Sequence, residues 1–197
     1  MSLQMIPLQE SHIEDAAALV CQRYRALRSE APALPGHFED QGVVLAKLAE
    51  FTAGAPGVVA IRNGKLVGFL AAMLSPSFRG HRGVFSPEWA NGASLEDANA
   101  IYQELYRVIA ADWVRNGYFL HVLTILANDR SGLAAWHWQG FGLIVADAIR
   151  TAAPVPVSGT TPMPGPVEIR QATAADLTEL QPLHQGLRRH LTNSPIF

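Results

Sequence analysis

A chain of 197 residues, 49% hydrophobic and 16% charged, can bury one good core and begin a second. Fifteen basic against 17 acidic side chains leave a net charge of -2, too weak a field to recruit nucleic acid or an anionic membrane surface. The longest apolar runs, Leu66 to Leu74 and Tyr118 to Ala127, fall short of the roughly 20 residues a membrane span needs. The amino terminus lacks the basic and apolar regions of a signal peptide, and Cys21 is the only cysteine, so no disulfide framework or CxxC pair exists and a reducing cytoplasm is the expected compartment.

In chain order, Ser11 and Glu14 match a capping box, and Ile13, Ala17, Val20, Tyr24 and Leu27 recur at helical spacing until Pro32, which predicts a first helix. A weaker amphipathic run carries Val44, Leu45, Leu48 and Phe51 and ends near Gly54. The segments VVAIR and KLVGFLAAML flank Asn63-Gly64, the pair that best tolerates the positive φ angles of a type I′ turn, and so predict an antiparallel hairpin. A polar loop, SPSFRGHR, then leads to a short strand, GVFS, and a long helix from about Leu95 to Asn116 with Ala98, Ile101, Tyr102, Leu105, Ile109 and Trp113 on one face. Gly117 ends it. The apolar run Phe119 to Leu126 predicts a buried strand, and strand, helix, strand in this order implies a right-handed crossover between parallel neighbours. A helix from about Arg130 to Gln139 and a strand, LIVADAIR, complete this part.

The composition changes at Thr151. TAAPVPVSGTTPMPGP holds five prolines and two glycines without a charge, as an extended linker would. Beyond it, VEIRQATAADLTELQPLHQGLRRHLTNSPIF places Leu177, Leu180, Leu183 and Leu187 in helical register and echoes the amino-terminal strand and helix. The expected organisation is a first domain over residues 1-152, a Pro-rich linker over 153-166 and, over 167-197, the incomplete start of a second copy.

Strand, two helices, hairpin, strand, long helix, strand, helix, strand resembles the element order of the GNAT acetyltransferase family. The resemblance covers about Ile6 to Arg150 and is carried by NGKLVGFL (Asn63 to Leu70), SPEW (Ser86 to Trp89) and NDRSGLAAWHWQGFG (Asn128 to Gly142), with VEIRQATAADLTEL (Val167 to Leu180) similar to the opening of a second such domain. It implies an α/β (α+β) architecture, the acyl-CoA N-acyltransferase fold, with a mixed central sheet flanked by helices. It also implies acetyl-CoA as co-substrate, bound where a glycine-rich turn after the central strand offers amides to the pyrophosphate and where the neighbouring parallel strand splays away so that the pantetheine arm can pair with exposed backbone.

Residue by residue, the family's Arg-Gly-x-Gly-x-Gly would fall on Ala90, Asn91, Gly92, Ala93, Ser94 and Leu95. One glycine, Gly92, survives in the stretch and the basic residue is absent. Ser94 and Asp97 form a capping pattern, and Glu96 and Asp97 place carboxylates where a phosphate would approach the positive end of the helix. The cofactor-binding candidates implied by the resemblance are Phe85 and Ser86 in GVFS, Gly92 and Ala93 in the turn, and Asp129 at the place of a family Asn, with Asn128 fitting only if the helix gained a residue. Trp136 falls where the family has a Tyr that protonates the departing thiolate, and an indole does not titrate usefully. No catalytic residue and no metal ligand is assigned.

Other residues have ordinary readings beside functional ones. His121 within an apolar strand is more commonly a satisfied core histidine than a general base. His137 faces solvent on helical geometry. Glu88 is a loop carboxylate or a base. RGHR, Arg79 to Arg82, is a solvated loop or an anion site, and Cys21 is a small hydrophobe. The expected function is acetyl transfer from acetyl-CoA to a small-molecule amine or a peptide N-terminus by the full-length protein, with the first domain's cofactor cradle degraded. A second GNAT-like domain in cis and a homodimer are the expected partners. The alternative is a non-catalytic ligand-binding or scaffolding module.

Overall fold

The computed structural model describes residues 3–78, 80–149 and 169–193. Its contacts divide the chain into two units, Met1–Gly142 and Leu143–Phe197. The Pro-rich stretch lies outside the described residues.

The first unit is built on two sheets. Strands β1 (Gln4–Pro7), β2 (Gly57–Arg62), β3 (Lys65–Ala71) and β6 (Asn91–Ala93) form an antiparallel sheet in the order β1-β2-β3-β6. Strands β4 (Met73–Phe78), β5 (His81–Ser86) and β7 (Leu120–Leu123) form the other, in the order β4-β5-β7. The β2–β3 hairpin turns at Asn63 and Gly64, which have φ of 54° and 73°, as the Asn-Gly pair requires. The parallel pair is also present: Gly83–Ser86 of β5 run beside Leu120–Leu123 of β7, joined by α3 (Ala98–Arg115) as the crossover.

Side-chain alternation sorts the core into two layers. Val59 and Phe69 point to α1 (Ile13–Glu30) and α2 (Gln41–Thr52), where Ala16, Ala17, Val20, Val44 and Leu48 bury them. Val58, Ala60 and Leu70 point the other way, to Ile101, Tyr102 and Leu105 of α3 and Trp136 of α4 (Arg130–Trp138). Helix α3 lies so close to the sheet that a Cβ on Gly68 would stand 2.4 Å from Ile101 Cγ2. Gly68 therefore sets the spacing of that layer.

Four local expectations are corrected. Within SPSFRGHR, Ser75 to Phe78 are not loop but part of β4, and His81-Arg82 part of β5, the two strands pairing antiparallel with Gly80 at φ 85° between them. The Asn91–Ala93 segment is a strand that returns to pair with Gly68–Leu70 of β3, so the chain reaches α3 only after a 3-10 turn over Leu95–Asp97. At the start of α1 the capping interaction belongs to Gln9, whose backbone N–H donates to His12 Nδ1 at 3.0 Å, because a 3-10 turn over Glu10–His12 precedes the helix. Finally, residues 143–149 form no strand, and Leu143, Val145 and Ile149 are exposed; an apolar alternation alone does not make a strand, which also needs ladder partners for its backbone groups.

In the second unit a 3-10 turn over Ala174–Asp176 leads into α5 (Leu177–Thr192). Arg170 and the Thr173 backbone and hydroxyl hydrogen-bond the Asp176 carboxylate and hold it well below the usual range. Leu177, Leu180, Leu183, Leu187 and Leu191 are all exposed. Among the described residues no helix is long and apolar enough to cross a membrane.

Candidate functional site

The site expected from the sequence lies where the parallel strands end. The β5–β7 pairing extends one bond further, with Thr124 N–H donating to Ser86 O at 2.8 Å. Then Pro87 to Ala90 turn outward, closed by Ala90 N–H to Pro87 O at 2.9 Å, and β6 crosses to β3. The other strand continues through Ile125 to Asn128 toward α4. An opening between them would be the place for an extended ligand to pair with free backbone.

Side chains of this chain occupy that opening. The Asn91 amide, buried, donates to Pro87 O at 2.9 Å, and lies 3.3 Å from both Ser86 Oγ and Thr124 O, so it ties the two diverging segments together. Deeper in, Arg23 reaches from α1 and donates to Ala93 O and to the Asp129 carboxylate. The two charged residues are only 6% and 5% exposed. Such a pair is tolerated in low dielectric when both partners are fully hydrogen-bonded. Asp129 meets that condition. It also accepts the Gly132 N–H and the Ser131 hydroxyl, each at 2.9 Å, and so caps α4. Gly132 makes the approach possible, since a Cβ there would stand 2.6 Å from Asp129 Oδ2. The Tyr102 ring lies 5.9 Å from the guanidinium. Its burial pushes its hydroxyl pKa up to about 12, with the Arg23 charge opposing.

The sequence-derived residues have these places. Phe85 is half-buried in β5 and stacks with Phe78 at 6.5 Å. Ser86 ends β5 and is buried beside Asn91. Gly92 and Ala93 are buried in β6 opposite Phe69 and Gly68. Asp129 is in the ion pair with Arg23. Asn128, the alternative, donates to Leu27 O of α1 at 2.7 Å. All of them except Phe85 thus gather around the parting of the strands. Ser94 does not cap the helix: its amide donates to Val67 O at 2.8 Å, its side chain caps nothing, and α3 begins four residues later. Asp97 turns instead to Arg62, at 2.5 Å.

Trp136 is a core residue, 2% exposed, packed at 5.0 Å on Tyr102 and 5.1 Å on Phe141. His121 is satisfied on both nitrogens. Tyr118 O can only accept, so Nε2 donates to it at 3.0 Å, and Nδ1 accepts the Tyr106 hydroxyl at 2.7 Å. The Cys21 thiol faces Phe38 O at 3.6 Å, and burial raises its pKa, which makes it a poor nucleophile. His137 is exposed, and Glu88 lies exposed in the outward turn. Arg82 stacks on the Tyr118 ring at 4.3 Å, and Arg79 lies outside the described residues. Among the described residues no three His, Cys, Asp or Glu side chains converge as a metal site would require.

Sequence reasoning missed Arg23 and Asn91. The signal for Arg23 is its position: it falls on the same face as Ala16, Leu19 and Val20, and a cation on a buried stripe demands an anionic partner elsewhere. Asn91 carried no comparable signal, because its role depends on where β6 turns back.

No family model matches the chain, and no curated protein sequence is significantly similar to it. Solved structures do share its architecture. A ribosomal-protein-alanine N-acetyltransferase from Brucella melitensis biovar Abortus 2308 is 15% identical, with a TM-score of 0.57 over 77% of this chain and 99% of that one. An aminoglycoside N-acetyltransferase, AAC(6')-Iy, in complex with CoA is 14% identical, with a TM-score of 0.55 over 77% of this chain and 96% of that one. A GCN5-related N-acetyltransferase from Ralstonia eutropha JMP134 is 16% identical, with a TM-score of 0.57 over 77% of this chain and 100% of that one. The chain has the acyl-CoA N-acyltransferase fold, a mixed sheet arrangement flanked by helices.

Proposed function

We propose that the protein is a GNAT-type N-acetyltransferase of tandem design, in which the first unit is a scaffold copy and the transfer from acetyl-CoA to an amine is performed by a second copy opening near Val167. The observation that carries this reading is that two side-chain bridges, the Arg23–Asp129 ion pair and the Asn91 amide between Pro87 O and Thr124 O, span the opening in which a pantetheine arm would need free backbone. Displacing a buried, hydrogen-bonded ion pair costs more than a thiol-linked arm regains from a few backbone bonds. The amine acceptor, a small molecule or a peptide N-terminus, is inferred from the acceptors named for similar folds.

The second unit supports the tandem reading. In both units a three-residue 3-10 turn precedes the helix, and the third residue of the turn accepts the N–H of the residue before it: His12 from Gln9, Asp176 from Thr173. With the helix starts Ile13 and Leu177 aligned, Leu180, Leu183 and Leu187 fall where α1 buries Ala16, Leu19 and Arg23. The leucine face of α5 thus has the pattern of a helix meant to cover a sheet. The position of Arg23 is taken by Leu187, so the group that closes the first opening has no counterpart in the second helix.

Calorimetric titration tests the reading. Acetyl-CoA is expected to give no saturable heat with the 197-residue chain, and a saturable signal with a protein extended through a complete second copy. Micromolar binding by the 197-residue chain, lost on substitution around Asn91 to Ala93, would overturn it. Absence of binding in both proteins would favour a non-catalytic scaffold, to which the core position of Trp136 is already suited.

A further inference from the structure

A cavity of about 550 Å³ opens between β1, the start of β2, the last turns of α3 and the β4–β5 hairpin, and it shares no residue with the opening closed by Arg23. It exists because β2 begins at Gly57 opposite Ala71 while the neighbouring strand runs on past Ala72 into the other sheet. Its walls include Met5, Ile6, Val58, Leu74, Ile109 and Trp113. Leu74 is left 36% exposed there. An apolar chamber of this size with few polar groups is the usual form of a small-molecule site.

The polar groups have a definite arrangement. Helix α3 ends in a Schellman motif, with Gly117 N–H donating to Val114 O at 3.0 Å and Tyr118 N–H to Trp113 O at 2.9 Å. Gly117, at φ 77°, has no Cβ to crowd Arg82, whose Nη1 would stand 3.4 Å from one. The guanidinium therefore lies over the Tyr118 ring, at 4.3 Å, on the cavity lining. Among the described residues no carboxylate pairs with Arg82. The acidic group in the lining, Asp112, is paired with Arg115, and the Schellman bonds occupy carbonyls that would otherwise repel an anion at this helix end. Among the described residues the buried indole N–H of Trp113 has no acceptor.

We propose that this cavity binds a small amphiphilic carboxylate, its hydrocarbon part against Ile6, Val58, Leu74 and Ile109 and its carboxylate on Arg82. The hydrocarbon part is covered by apolar walls and the head meets a guanidinium that rests on the Tyr118 ring and, among the described residues, has no carboxylate partner, the planar donor set that suits a carboxylate best.

Octanoate is the probe, titrated into the 197-residue protein by calorimetry with 1-octanol as the uncharged comparison. The expected dissociation constant is on the order of 0.1 to 1 mM. Arg82→Gln, a surface change that spares the core, should weaken octanoate about tenfold and leave octanol unchanged. Val108→Trp, on the cavity lining, should abolish both, with circular dichroism confirming the fold. No heat with octanoate at about 5 mM, equal octanoate binding by Arg82→Gln, or competition by acetyl-CoA would overturn the proposal. The last outcome would place the ligand in the other opening, and failure of the acetyl-CoA reading leaves this test unaffected.

Discussion

Arg23 of α1 and Asp129 at the start of α4 are 106 residues apart in sequence and meet as a buried ion pair. The pair joins the end of β6 to the cap of α4, because Arg23 also donates to Ala93 O and Asp129 also accepts from Gly132. It organises the interior at the point where the parallel strands separate.

Asp129→Asn keeps the capping ability of the side chain but strands the guanidinium. We expect a loss of about 3 to 5 kcal/mol in denaturant unfolding. Adding Arg23→Leu, the residue at the matching position of α5, should recover most of it. Simple additivity of the two changes in a double-mutant cycle would show that the charges do not interact.

Asn91→Asp replaces a donor by an acceptor facing Pro87 O and Thr124 O. It should destabilise the protein by about 2 to 4 kcal/mol, and by more than Asn91→Ala, since like oxygens would be forced together. Thermal melts of the two variants at pH 7 check the order, and equal losses would contradict the bridging role.

Gly68 and Gly92 face each other's strands, yet their tolerance should differ. A Cβ on Gly68 meets Ile101 at 2.4 Å, whereas one on Gly92 meets Phe69 at 3.4 Å and Arg23 at 3.7 Å. Gly68→Ala should cost roughly 1 to 3 kcal/mol, and Gly92→Ala clearly less, since its added methyl meets only ordinary contacts. A large loss for Gly92→Ala would mean that the space beside Arg23 is smaller than described.

Tyr102 gives an alkaline prediction. Burial raises its pKa from 10.0 to about 12 in the folded protein, so the neutral phenol favours folding. That contribution is complete below pH 10 and is lost as pH rises through about 12, by about 2 to 3 kcal/mol. Unfolding free energies at pH 9 and 12 should fall by that much more in the parent than in Tyr102→Phe.

The elements with local signatures were legible in the sequence. Asn63-Gly64 marks its hairpin because few other pairs accept two positive φ angles, and the α3 stripe from Ala98 to Trp113 marks its own buried face. What was not legible depended on pairing at a distance. Ser75 to Phe78 look polar enough for a loop and become a strand only because His81 to Phe85 fold back beside them. Asn91 to Ala93 look like a phosphate turn, and become a strand because Gly68 leaves room for both β6 and α3. The apolar pattern at 143–149 has the opposite fate: it reads as a strand and forms none, because periodicity marks only a face and says nothing of pairing. Of the site residues, Asp129 was found at the correct helix start but without Arg23, whose meaning lies in a contact 106 residues away.

The ion pair also bears on how the chain is made. Synthesis proceeds from the amino terminus, so α1 leaves the ribosome with a cation on its inner face long before the anion exists. Until Asp129 has emerged, closing α1 against β6 would bury an unpaired charge, and the nascent unit stays ajar. The segment leading into α4 then supplies both partners of a latch, the Asp129 carboxylate for Arg23 and the Asn128 amide for Leu27 O. A ribosome stalled before residue 128 should hold a protease-sensitive α1, and one stalled well past Gly142 a resistant one.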